Sequence, residues 1–198
     1  GKSTGIVKIG STPDWQDIED LINQYNATTV IDALPDLTIP QDLRKRYPKV
    51  YLSYYKGDRD KAEIYEFKKF PDQGIVYSDR NRLIDIVLDD IARGKFLLSV
   101  TGQELSRYVS HWLTLRRVKE EDAKGNPRYK WESSSGVDHW VHATCYWWLA
   151  SRQGKGEIYE AKQREKQTLI QETSHGPVVT DLRHILEKQH DQIIGIGR

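Results

Sequence analysis

The chain has 198 residues, 37% hydrophobic and 30% charged, with a net charge of only +1. That is enough for one domain with a real core, and it excludes a global polybasic signature, so any anionic partner must be met by a local patch. No apolar run reaches the roughly 18 residues of a membrane span, no secretory leader pattern opens the chain, and the single cysteine, Cys145, excludes an intrachain disulfide and suits a reducing cytosol.

The absence of methionine points to a processed product or a part of something longer. The opening Gly1-Lys2-Ser3-Thr4 resembles the end of a phosphate-binding loop but lacks the upstream glycine and strand such a loop needs. Ile6 to Ile9 reads as the first strand. Thr12-Pro13-Asp14 starts a helix, with threonine as cap and proline at its first position, and Trp15, Ile18, Leu21, Ile22 and Tyr25 carry it at helical spacing to Tyr25. Ala27 to Ile31 is β-branched and nearly continuous in apolar character, the pattern of a strand covered on both faces, and it ends in Asp32. An acid at the carboxyl end of such a strand is where open α/β sheets place site chemistry, and it is equally suited to capping the turn before Pro35. Asp36 reads as a turn residue.

A short helix is predicted over Pro40 to Arg46, with Arg44, Lys45 and Arg46 clustered on it, then a strand over Val50 to Tyr55. Lys56 to Asp60 is a charged loop, and Glu63 to Phe70 alternates like a strand until Pro71. From Asp79, apolar residues at Leu83, Ile84, Val87, Leu88 and Ile91 predict a helix closed by Gly94, with Asp85, Asp89 and Asp90 mostly on its other face. Gln103 to Trp112 is a further helix. Leu115 to Lys119 and Arg128 to Trp131 flank a polar turn-rich connection and predict a hairpin. Arg116, Arg117, Lys119, Arg128 and Lys130 sit on its arms with Tyr129 and Trp131 among them, which suits a phosphate backbone and also an ordinary solvated hairpin weakened by its own acids.

The densest chemistry follows. Ser135 can cap a helix in which Asp138 and His142 are four apart on one face, with His139 beside them. Trp140, Val141, Thr144, Cys145, Trp148 and Leu149 form an apolar stripe, so the same stretch is an amphipathic core helix with a polar start. If buried, that polar triplet needs partners, and a divalent metal is one. Beyond Ala150 the composition shifts, and 153–198 reads as linker and tail, with a last helix about Thr180 to Asp191.

This order of elements resembles the nuclease domain of phage terminase large subunits, the proteins of the DNA-packaging motor. The resemblance rests on Val30-Ile31-Asp32-Ala33-Leu34-Pro35-Asp36, the basic hairpin, and Gly136-Val137-Asp138-His139-Trp140-Val141-His142-Ala143 leading to Tyr146, and it covers about residues 1–150. It implies an α/β, RNase H-like mixed sheet flanked by helices, over 1–152, with an added β-hairpin and a C-terminal helical tail. It implies cleavage of double-stranded DNA with two Mg²⁺ or Mn²⁺ ions, one activating the attacking water and the other stabilising the leaving oxygen.

Asp32 and Asp138 would then ligate metal. His142 stands where many relatives have an aspartate, and His139 would be a ligand, an acid/base or a phosphate contact. The portal and the small terminase subunit are the implied partners, in the cytoplasm of an infected bacterium. The family's first catalytic aspartate lies on the opening strand of its sheet, whereas Gly5 to Gly10 reads as a third strand and no acid precedes Asp14. The resemblance thus implies a chain short of two strands and one carboxylate, with weak metal affinity and weak cleavage. A docking piece that grips DNA or the portal without cutting, or another RNase H-like nuclease such as a junction resolvase or integrase, shares these features.

Overall fold

The computed structural model describes residues 4–6, 8–56, 64–68, 73–99, 101–121 and 125–153. Its elements in order are β1 (Thr4–Ile6), α1 (Trp15–Tyr25), β2 (Thr29–Asp32), α2 (Thr38–Arg46), β3 (Val50–Lys56), β4 (Tyr65–Phe67), β5 (Ile75–Asp79), α3 (Arg80–Ala92), β6 (Phe96–Leu98), α4 (Gly102–Leu113), β7 (Leu115–Glu121), β8 (Pro127–Ser133) and α5 (His139–Arg152). The tail helix expected near Thr180 lies outside the described residues.

The central sheet has the order β2-β3-β5-β4, with β2, β3 and β5 parallel and β4 antiparallel to β5. This is a mixed α/β architecture. Alternation along the strands divides the core into two layers. Ile31 and Val50 face α1 and α2, where they pack with Ile18, Ile22 and Leu43. Val30, Tyr51, Tyr55 and Val76 face the larger cluster built from α3, α4 and α5, with Leu83, Val87, Tyr108, Val141, Cys145 and Leu149 at its centre. Two smaller pairs complete the fold, β1 parallel to β6 and β7 antiparallel to β8.

Several boundaries differ from the sequence reading for local reasons. α1 is capped by Asp14, whose side chain accepts from the Gln16 amide at 2.8 Å, while the Thr12 hydroxyl accepts from the Asp14 amide one step earlier. The first strand ends at Ile6, where its pairing with Leu98 ends, rather than at Ile9. Gly74 enters β5 with φ of +86°, and a Cβ there would run into the Arg44 guanidinium, so only glycine fits. β2 is covered on both faces, yet among the described residues it is the edge of its sheet rather than an interior strand.

Asp90 departs most from expectation. It faces inward, with 6% of its side chain exposed, and accepts from Trp148 Nε1 at 2.8 Å, Lys95 Nζ at 2.5 Å and Arg152 Nη2 at 3.2 Å. Together these tie α3 to the end of α5. Removing the carboxylate strands buried donors, so Asp90→Ala is expected to cost about 3 kcal/mol or more. Asp89→Ala, which breaks only the exposed pair with Arg93, is expected to cost under about 0.5 kcal/mol. Urea denaturation of the two variants checks the contrast.

Candidate functional site

Asp32 ends β2 and splits its two oxygens. Oδ1 accepts from the Leu34 amide at 3.1 Å, the turn-capping role, and Oδ2 accepts from the Tyr146 hydroxyl at 2.7 Å, a tertiary contact across to α5. The turn-capping role read from the sequence is therefore present. Asp36 is the turn residue before α2, accepting from the Thr38 amide at 2.8 Å, which holds its carboxyl below the usual range.

α5 starts at His139, with Asp138 in the cap position, rather than from Ser135, whose hydroxyl only accepts from Val137 N at 3.3 Å. The four-residue spacing still brings Asp138 and His142 together, with Nε2 and Oδ2 3.3 Å apart. On the other side of the ring, Nδ1 lies 2.7 Å from the Tyr55 hydroxyl at the end of β3. Burial lowers the His142 pKa, with Arg80 adding to the shift and Asp138 opposing it, so the imidazole is neutral near pH 7. The neutral ring then donates from Nε2–H to Asp138 and accepts the Tyr55 proton at Nδ1.

The ring of Tyr55 stacks on that of Tyr146, centroids 6.0 Å apart and planes 28° from parallel. Burial raises the pKa of both phenols, so both stay protonated as donors. Asp32 and Asp138 thus sit at the two ends of one polar chain: Asp32, Tyr146, the stacked Tyr55, His142, Asp138. Arg80, at the start of α3, closes it, with Nη2 3.2 Å from Asp138 Oδ2 and Nη1 donating to the Trp131 carbonyl at 2.6 Å.

No protein-family model matches this chain, and the searches of curated proteins and of solved structures return no match.

Carboxylates are the right donors in kind for Mg²⁺ or Mn²⁺. As placed, however, they do not form a two-ion centre. Asp138 Oδ2 is held by Arg80 and His142, both ring nitrogens of His142 are engaged, and Asp32 Oδ2 takes the Tyr146 proton. Among the described residues no group of three or more His, Cys, Asp or Glu side chains is placed to hold a metal ion. His139 stands exposed beside His111, ring centroids 6.3 Å apart, rather than in the chain of contacts. Burial holds Cys145 as a protonated thiol, so it is a core residue and not a nucleophile.

The hairpin sorts its bases onto two faces, because directly opposed residues of an antiparallel pair share a face. Arg116, Arg128 and Lys130 lie on one with Glu120 and Glu132, and Lys130 is bridged to both acids, at 2.6 and 3.0 Å. Arg117 and Lys119 lie on the other with Tyr129 and Trp131, the Arg117 guanidinium 5.1 Å over the Tyr129 ring. Trp131 fastens this face to α3, its amide donating to Asn81 Oδ1 and its indole to Asp85 Oδ1, each at 2.9 Å.

Tyr55 and Arg80 were not among the residues singled out from sequence. Tyr146 had a signal, since it lies four residues after His142 on the same helical face. Tyr55 and Arg80 had none, because each is brought in by packing between elements.

The lowered pKa of His142 makes stability depend on pH. The unfolded chain takes the proton more readily near the ordinary pKa of 6.5, so the stabilisation is complete above that pH and is lost as pH falls toward the folded value. Urea midpoints are expected to be lower at pH 5.5 than at pH 7.5. His142→Gln should flatten that dependence in part, leaving the share of His111, whose pKa is also lowered by burial.

Proposed function

We propose that this chain is an RNase H-like nuclease module of a viral DNA-packaging terminase large subunit, acting on double-stranded DNA, with a carboxylate centre only partly assembled from the described residues. The observation that supports this reading is that Asp32 and Asp138, though not in contact with each other, are linked through Tyr146, Tyr55 and His142 in one polar chain. Asp32 lies at the end of β2 and Asp138 in the cap position of α5. The portal and the small terminase subunit, in the cytoplasm of an infected bacterium, are the partners and setting that go with it.

In this arrangement the hairpin face carrying Arg117, Lys119 and Tyr129 would meet the phosphate backbone, and bind without regard to sequence. Arg80 offers a guanidinium beside Asp138, where a scissile phosphate would develop charge in the transition state. Mg²⁺ or Mn²⁺, which the resemblance implies, would supply water activation, with Asp32 and Asp138 as the carboxylates that would hold it and too few ligands between them for a full two-ion centre. Cleavage by this chain should accordingly be weak.

A second reading, a DNA- or portal-docking module without catalysis, is favoured by one observation: the Arg80 guanidinium already neutralises Asp138. Plasmid nicking separates the two. The nuclease reading expects slow nicking that requires Mn²⁺ or Mg²⁺ and is lost in Asp138→Asn and Asp32→Ala. Nicking unchanged in both variants, or none at any metal concentration, would sink it in favour of docking.

Binding tests the hairpin separately. Neutralising Arg117 and Lys119 together is expected to reduce the slope of log K against log salt by about 1 to 2, uniformly across sequences. Neutralising Lys130, which two acids hold at 2.6 and 3.0 Å against the single longer bridge of 3.5 Å from Arg117 to Asp85, should change the slope less. Equal slopes in all three proteins would remove this face from the interface.

A further inference from the structure

On one face of the β7–β8 hairpin, Arg117 stands opposite Trp131 and Lys119 opposite Tyr129, so two pairs of a base and an aromatic follow one another along the arm. At the rise of an extended strand they are about 7 Å apart. Trp131 does the fastening: it packs against the main core, and both its amide and its indole are held from α3. Tyr129, one pair further out, is 53% exposed, with the Arg117 guanidinium 5.1 Å from its ring centre. A ring that only braced the arm would turn its surface inward, as Trp131 does. This one leaves it in water beside two cations.

Charge alone gives this face little hold on a polyanion. Arg117 is bridged to Asp85 at 3.5 Å, and Glu121 shares the face at its outer end, so two bases are set against two acids. The ring therefore has to contribute, and what a ring grips is a flat partner. A nucleobase is flat, and stacking on an exposed aromatic raises affinity by about fivefold or more per base. In a duplex each base is covered by its neighbours and the grooves show only base edges, so a duplex can use the cations and not the ring. An acidic peptide offers carboxylates to the cations and nothing to the ring. An unpaired strand uses both.

We propose that the face of the hairpin carrying Arg117, Lys119 and Tyr129 binds single-stranded DNA, stacking an unpaired base on Tyr129 while Arg117 and Lys119 meet the phosphates joined to it. The inference rests on the DNA-binding part of the function proposed above and not on cleavage. It narrows the substrate at this face to duplex that is opened at an end, a nick or a distortion. Trp131 connects this face to the polar chain, because its carbonyl accepts from Arg80, which also holds Asp138.

The test is equilibrium binding of the full chain by fluorescence anisotropy, at one fixed salt concentration and in EDTA so that no metal-dependent cleavage intervenes. Three labelled probes of about 12 nucleotides are compared: a mixed-sequence single strand, the blunt duplex of the same sequence, and an abasic strand with the same phosphates and no bases. The native chain should bind the single strand about tenfold or more tighter than either of the others. Tyr129→Leu keeps apolar bulk and removes the aromatic face, and should lose most of that margin while binding the duplex as the native chain does. Tyr129→Phe should retain the margin. The comparison of probes needs no variant, so it stands even if a substitution disturbs the hairpin. Duplex or abasic strand bound as tightly as the single strand would overturn the proposal in favour of a plain polyanion surface. So would the absence of single-strand binding, a margin that Tyr129→Leu leaves intact, or one that Tyr129→Phe abolishes. Metal-dependent nicking without a single-strand preference sinks this proposal and leaves the nuclease reading; a single-strand preference without nicking does the reverse.

Discussion

The hydrogen bond from the Tyr55 hydroxyl to His142 Nδ1, 2.7 Å long, is the contact on which the arrangement of this molecule turns. It joins the end of β3 to the first turns of α5 and so fixes the rotation of that helix over the sheet. With the helix held there, Val141, Cys145, Trp148 and Leu149 enter the core, Tyr146 reaches Asp32, and His142 donates its Nε2–H to Asp138. A half-buried imidazole is tolerated because each ring nitrogen has a partner; losing one would leave a largely desolvated polar group at a cost of about 1–3 kcal/mol.

Arg80 gives this site a second anchor and connects it to the hairpin. One guanidinium serves a carboxylate of α5 and a carbonyl of β8, and the neighbouring Asn81 and Asp85 hold the Trp131 amide and indole. The hairpin is therefore not a free arm. Its aromatic and basic face is set by the same helix that positions the charge beside Asp138, so a polyanion on Arg117 and Lys119 would be felt by groups one bond removed from the polar chain.

The sequence made the helices legible because apolar residues at three- and four-residue spacing have no other economical arrangement, and α1, α3, α4 and α5 all lie where that spacing places them. Asp32 and Asp138 were readable as candidates for a similar reason: each stands at an element end beside apolar neighbours. What the sequence concealed depends on contacts between elements. β6 is three residues long and β5 five, too short for periodicity to speak. Asp90 looked like part of a solvated face, but its carboxylate is buried against the Trp148 indole and Arg152 of α5, with Lys95 from just past its own helix. The apolar run ending at Asp32 signals cover on both faces, which is correct, and says nothing of whether a neighbouring strand lies on each side, which decides edge from interior.

The central claim is that Asp32 and Asp138, from opposite ends of the described chain, act on the same imidazole. The direct measurement is the titration midpoint of His142, followed by NMR of its ring nitrogens, in the native chain and in Asp138→Asn and Asp32→Asn. Both carboxylates favour the protonated ring, Asp138 more strongly than Asp32. Both substitutions should therefore lower the midpoint, Asp138→Asn by the larger amount. A midpoint unmoved by Asp32→Asn, in a protein that remains folded, would contradict the account by showing that the two acids belong to separate environments.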